Sequence, residues 1–301
     1  MLIQEKMKQK EHFSESEKII SEYFLKHSDQ LEKESVRSIA SQIYVAPSSI
    51  VRFCQKLGFD GYNDFKEQYQ DEIKYLSSHF QHINPNYPFE KSDKEITLAN
   101  KIGQLYEETI KDCLTLLEHD TLQKVAQKLN TASTLYICAS GAQVGLSEVF
   151  KDKMMRIGKH VVICQSSEEA YYEACYTSQN SCFLLISYTG ETERCLRVAK
   201  KLSERSMYML AVTSYGHNSL SHYADDCLYA STREKLITNL GNYTFNICVM
   251  LLLDILYSQC FNKNYEKNLE NKVCNSKKFE TVTHHTGRQS DNPIIQENNE
   301  E

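Results

Sequence analysis

Ser187, Thr189, Gly190 and Thr192 stand between an apolar run, residues 182–186, and the start of a helical segment. Three hydroxyls and a glycine in that position suit an anion. Free N–H groups at a helix start and the helix dipole favour negative charge, and hydroxyls complete its hydrogen bonds. No Lys or Arg lies in the loop, so a phosphate there would be held by neutral donors. Ser140-Gly141 closes the apolar run 135–139 in the same way, and a weaker loop, Thr213-Ser214-Tyr215-Gly216, follows the run 208–212. A single such hydroxyl reads as an ordinary helix cap. Ser187, Thr189 and Thr192 together, directly after a strand, favour phosphate.

Something must hold these loops side by side. Apolar runs at 135–139, Val161–Cys164, 182–186 and 208–212, with a fifth candidate at 227–229, alternate with helical segments. Near-continuous apolar strands between helices predict βαβ units and a five-stranded parallel sheet covered on both faces. In such sheets ligands gather at the carboxyl ends of the strands. Helices are expected at 96–117 and 121–129, before the first strand, and at 233–260 after the last. On this reading Arg233 and Glu234 open the last helix. Glu234 is then either a general base or, more simply, a dipole partner.

A different chemistry sits in residues 48–62, SSIVRFCQKLGFDGY. The spacing gives a short helix that turns Ile50, Phe53 and Leu57 inward, against Ile19, Tyr23, Ile39 and Ile43. Val45, Ser48, Ser49, Arg52 and Lys56 fall on the open side. Pro47 suits the first helical position and Gly58 the exit. A second amphipathic segment, 35–43, lies just upstream. Two such helices with a brief connection are the sequence form of a helix-turn-helix, a DNA-binding unit. Residues 1–80 are not basic, with 11 Lys and Arg against 13 Asp and Glu. The charge is arranged locally instead: 35–59 hold Arg37, Arg52 and Lys56 and no acidic residue. Few phosphate contacts per chain imply weak binding by one copy, and hence a dimer.

The 301-residue chain has room for two domains. Its 41% apolar and 25% charged residues are typical of globular protein. The expected division is a helical domain at 1–77, a linker at 78–92 containing two prolines, an α/β domain at 93–261 and a disordered tail at 262–301. His284-His285 in that tail has no partners at metal-binding spacing. The 11 cysteines are scattered singly, which reads as free thiols in a reducing compartment. No signal peptide or membrane span is expected, and the chain reads as cytoplasmic. Walker, dinucleotide-binding, nucleophile-elbow and zinc-protease motifs are absent. No cofactor or metal is expected.

The N-terminal part resembles the helix-turn-helix domain of the RpiR family of bacterial transcriptional regulators. The matching residues are Ser38-Ile39-Ala40, Val45, Pro47, Ile50-Val51-Arg52-Phe53, Leu57 to Tyr62 and Phe65-Lys66. The C-terminal part resembles the sugar isomerase (SIS) domain that follows it in that family, through Ser187-x-Thr189-Gly190-x-Thr192, Ser140-Gly141 and Val212-Thr213-Ser214. The family pattern usually has Ser in place of Thr189, and Ser where this chain has Ala46. An Ala cap costs about 1 kcal/mol relative to Ser. The resemblance implies a dimeric, non-enzymatic regulator of a sugar-metabolism operon. It would bind operator DNA through Arg37, Ser48, Ser49, Arg52 and Lys56. It would sense a sugar phosphate at Ser140, Gly141, Ser187, Thr189, Gly190 and Thr192. Two competing classes stay open on residues alone. One is a sugar-phosphate isomerase using Glu191, Glu234 or His217 as base; the other is a helical module that binds protein instead of DNA.

Overall fold

The structure, a computed structural model, describes residues 2–77 and 82–282. The first of these stretches is helical. Its helices are α1 (Ile3–Lys8), α2 (Glu15–Lys26), α3 (Val36–Gln42), α4 (Pro47–Lys56) and α5 (Tyr62–Ser77). The starts of α2 and α3 have a local cause. Ser14 and Glu17 form a reciprocal capping box on α2, and Ser35 caps α3 through Ser38 N–H. The carboxylate of Glu72, buried on α5, receives the Ile3 and Gln4 N–H groups at 2.5 and 2.8 Å and so caps α1 from a distance. That long-range cap is why α1 escapes a reading of local sequence. Phe24, Ile39, Ile50, Phe53, Phe65 and Tyr69 are fully buried in one small core. Ile19, expected inside, is exposed, because its neighbour Ile20 takes the inward position. Val45, expected on the open side, is half-buried against the same core.

Helix α4 ends as a Schellman motif. Gly58, at φ +102°, donates to Gln55 O at 3.0 Å, and Phe59 donates to Cys54 O at 3.1 Å. The turn between α3 and α4 uses the same device with a less suitable residue. Tyr44 stands at φ +57° while Val45 N–H returns to Ala40 O at 3.0 Å.

The second domain opens with α6 (Glu95–Thr115) and α7 (His119–Thr131). Then β1 (Thr134–Cys138), α8 (Ala142–Met155), β2 (Val161–Cys164), α9 (Ser167–Tyr176) and β3 (Ser181–Ile186) follow. Next come α10 (Glu193–Glu204), β4 (Tyr208–Ser214), α11 (Ser219–Tyr223), β5 (Asp226–Ala230), α12 (Tyr243–Asn262) and α13 (Tyr265–Val282). The strands form one five-stranded sheet of order β2-β1-β3-β4-β5, parallel at every pair. All six residues of β3 are buried, as expected of a central strand covered on both faces. Leu184 and Leu210 look toward a core shared with α8 and α12; Phe183 and Met209 look toward one shared with α10. All eleven cysteines are free, and burial pushes thiols such as Cys54 up to about 12 and Cys138 up to about 11. Such thiols are inert packing residues.

Two expectations need correction. The last core helix begins at Tyr243, not at 233. Residues 231–242 form an irregular loop that leaves Leu236, Ile237 and Leu240 exposed. Residues 265–282, read as disordered tail, form α13, whose sparse apolar residues gave too weak a periodic signal. Residues 283–301, including His284-His285, lie outside the described residues, as do 78–81 of the linker. The linker residues 82–92 hold no helix or strand, yet Asn86 is tied to Arg233 O, Lys235 N–H and Leu240 N–H. Among the described residues α12 is long and apolar enough to cross a membrane. Its Phe245, Cys248, Val249, Leu252, Leu253 and Leu256 are instead buried in the α/β core.

The two domains meet at the C-terminal end of α5. Arg233 donates to Tyr75 O at 2.6 Å and Leu76 O at 3.1 Å, placing a cation at the negative end of that helix. It also lies 3.4 Å from Asp112, which is fully buried on α6. The Tyr75 hydroxyl donates to Asp112 at 2.9 Å and accepts from Thr232 N–H at 2.9 Å.

Gly58→Ala tests the exit of α4. Nothing lies within 4 Å of the added Cβ, so only backbone strain at φ +102° opposes it. The expected cost is about 1–2 kcal/mol, read from urea denaturation.

Candidate functional site

The sheet order reverses direction between β1 and β3, so their carboxyl ends flank the crevice where ligands enter doubly wound sheets. Ser140-Gly141 leaves β1 and the 187–192 loop leaves β3, so pairing of these strands brings the two predicted anion loops together. Each leads into a helix of more than ten residues, α8 or α10. Neither helix has a side-chain cap: Gly141 has no side chain to offer, and Thr192 makes no capping bond. Two sets of N-terminal N–H groups therefore stand uncapped by side chains at one crevice. The Ser187 and Thr192 hydroxyls face each other at 3.4 Å, while Thr189 accepts from Glu191 N–H at 3.2 Å. Ser187 and Gly190 are buried, Thr189 is half-buried, and Ser140, Gly141 and Thr192 are exposed.

The shape of the loop is set by a residue that the sequence reading missed. Asn218 is buried; it caps α11 through Ser221 N–H at 2.9 Å and donates to Thr213 Oγ1 at 3.2 Å. Its amide lies against Gly190, which has φ +65°. A Cβ at position 190 would stand 2.0 Å from Asn218 Oδ1. Glycine is thus required twice, for its dihedral and for its lack of bulk. The signal available in sequence was the Asn-x-x-Ser capping pattern at 218–221.

The three candidate bases are committed to other partners. Glu191 accepts from Ser219 N–H and its hydroxyl at 2.9 and 2.7 Å. Glu234 is buried and receives the Tyr243, Thr244 and Phe245 N–H groups and the Thr244 hydroxyl, capping α12 from the preceding loop. Burial pushes its carboxyl up, against the pull of those donors. Glu234 is therefore the dipole partner of that helix, though it does not belong to it. His217 faces the helical domain, where it bonds Gln68 and meets the Phe59 ring edge-on at 5.9 Å. Burial, then the neighbouring Lys6 ammonium, push its imidazole down toward the neutral form.

On the helical domain, α4 starts at Ala46 with no side-chain cap and with Pro47 in its first turn. Arg37, Ser48 and Arg52 are exposed, and Ser49 is half-buried. Lys56 is exposed on the open side, yet it is already partnered. Its ammonium donates to His12 O and is paired with Glu17, both at 2.9 Å, and lies 5.4 Å from the Phe13 ring centre. A wheel of α4 alone does not contain these partners, which come from α2 and the turn before it. Tyr44 is the opposite case: it is 95% exposed in the turn between α3 and α4. An aromatic residue at a turn position that asks for glycine was the overlooked signal.

Residues 1–75 match the helix-turn-helix domain of the rpiR family, and residues 128–257 match the SIS domain. An uncharacterized HTH-type transcriptional regulator of Haemophilus influenzae is 24% identical over 248 residues, covering 81% of this chain and 84% of its own. One from Clostridium perfringens is 25% identical over 260 residues, covering 86% and 92%. The Vibrio vulnificus NanR protein, solved in complex with ManNAc-6P, superposes with a TM-score of 0.60 at 17% identity, over 93% of this chain and 99% of that one. The sugar isomerase domain of an RpiR transcription factor from Sphaerobacter thermophilus gives 0.52 at 12% identity, over 60% and 98%. The chain belongs to the RpiR family of helix-turn-helix regulators that carry a SIS domain.

Gly190→Ala is expected to distort the loop and destabilise the fold by about 1–3 kcal/mol, the usual cost of overpacking. Adding Asn218→Ala removes the contacts at 2.0 and 2.3 Å but leaves the position-218 Cβ at 2.9 Å and the strained dihedral. Thermal unfolding should therefore show the two substitutions to be non-additive, with the double variant losing less than the sum of the singles.

Proposed function

We propose that this chain is a DNA-binding regulator of a sugar-metabolism operon whose SIS domain senses a phosphorylated sugar. The observation that carries the effector half is the convergence of the α8 and α10 N-termini, uncapped by side chains, at the β1/β3 crevice. The phosphate of the sugar would take backbone N–H groups at Gly190 and beyond and the hydroxyls of Ser187, Thr189 and Thr192, with Ser140 and Gly141 closing the other side. The NanR structure holds a phosphosugar of this class, which supports the same chemistry here. The engagement of Glu191, Glu234 and His217 elsewhere favours sensing over isomerisation.

For DNA, Arg52 is the base-edge or phosphate contact, with Arg37, Ser48 and Ser49 positioning the backbone. Lys56, held by Glu17, is a minor contributor. A homodimer would present two such helices to two half-sites. Linkage supplies the switch. A ligand that prefers one arrangement of the domains shifts the population toward it. The route is short, because the loop carrying Asn218, which packs on Gly190, also carries His217, which touches Gln68 on α5.

Arg52→Ala is expected to weaken operator binding by about 1–3 kcal/mol if it reads a base. Lys56→Ala should leave both affinity and the salt slope nearly unchanged. Fluorescence anisotropy across a salt series measures both, and equal losses in the two variants would contradict the assignment.

A phosphosugar effector at about a hundred times its Kd should stabilise the protein by about 2.7 kcal/mol in a thermal-shift screen. Ser187→Ala with Thr192→Ala should abolish that shift and the effector response while keeping operator affinity. A retained response would remove the phosphate from this loop.

A further inference from the structure

Helix α12 is mostly apolar; the α/β core buries much of it, and Ile255, Tyr257 and Phe261 near its C-terminal end are only half-buried. A helix of that composition belongs in an interior. Its outer face, with Ile255, Tyr257 and Phe261, meets Tyr265 and Leu269 of α13 in an open groove of about 740 Å³. Along α13, Tyr265, Leu269, Val273 and Phe279 form a stripe at helical spacing, and Phe279 is 72% exposed. An 18-residue helix with so little cover is marginal in water. A pair of charges along the groove says what the missing cover is. Asp254 and Lys272 line it, each about two helical turns from the bend at 263–264, one on either arm.

Opposite charges at matched distances on the two arms are self-complementary. A two-fold axis that lays α13 of one copy along α12 of another brings each Lys272 to the other copy's Asp254. Asp254 already holds Lys153 at 2.5 Å through Oδ1, and its second oxygen remains for this pair. The apolar stripe of one copy then fills the groove of the other, an isologous arrangement. We propose that the α12–α13 groove is the homodimer surface, and that its occupant is α13 of a second copy. This deepens the dimer invoked above by naming where it forms, and it does not depend on the identity of the effector.

Light scattering after size exclusion, on the full chain, tests it. Leu269→Glu with Val273→Glu should halve the mass while circular dichroism keeps its helical signal. Lys272→Glu should weaken self-association at least ten-fold, and Asp254→Lys together with Lys153→Glu, which keeps the pair within the chain, should restore most of the loss, which a merely unfolded variant would not do. The proposal falls if the wild-type chain is a monomer or if the Leu269/Val273 variant keeps its mass. It falls equally if the exchanged charge pair fails to restore what Lys272→Glu lost. An unchanged mass in the Leu269/Val273 variant of a dimeric chain would remove this surface and leave the dimeric reader standing.

Discussion

Arg233 is the fastening on which the arrangement of this molecule depends. Among the described residues the apolar contact between the helical domain and the α/β domain is slight, chiefly the buried Tyr75 ring against Tyr215 at 4.6 Å. At the centre of the junction is a cation held between the last carbonyls of α5 and the buried carboxylate of Asp112, with Tyr75 stacked beneath it, and the Lys235–Glu5 and His217–Gln68 contacts lie to its sides. Such a pair contributes little against an apolar replacement, because desolvating both charges is costly. Its value is directional. Removing one partner strands a buried charge.

The α/β half was legible because parallel strands announce themselves. Residues 182–186 and Val161–Cys164 are apolar throughout, and only a strand buried on both faces needs that. Once the strands were in order, the loops with Ser140-Gly141 and Ser187 to Thr192 had to lie together. The helix-turn-helix was legible through its punctuation, Pro47 at one end of α4 and Gly58 at the other.

What escaped was set by partners distant in sequence. The position of Lys56 depends on Glu17 and His12, which no helical wheel of α4 contains. Glu234 looked like the first turn of α12 because it does serve that end of the helix, from nine residues upstream of Tyr243. The 236–240 stretch is apolar enough to pass for helix, yet Leu236 and Ile237 are exposed. Helix α13 was hidden by the reverse problem, a polar composition with only a thin stripe.

The Thr232 to Lys235 stretch serves several structures at once. Thr232 and Arg233 hold α5, Glu234 holds the start of α12, and Lys235 reaches Glu5 on α1 at 2.7 Å and Asn86 through its N–H. Four consecutive residues have no slack between them. The stretch therefore behaves like a crank: the reader cannot lift off Arg233 without pulling on the carboxylate that caps the core helix. Inherited variation should show this as correlated change, with substitutions at 232–235 tolerated only when both the end of α5 and the start of α12 change with them.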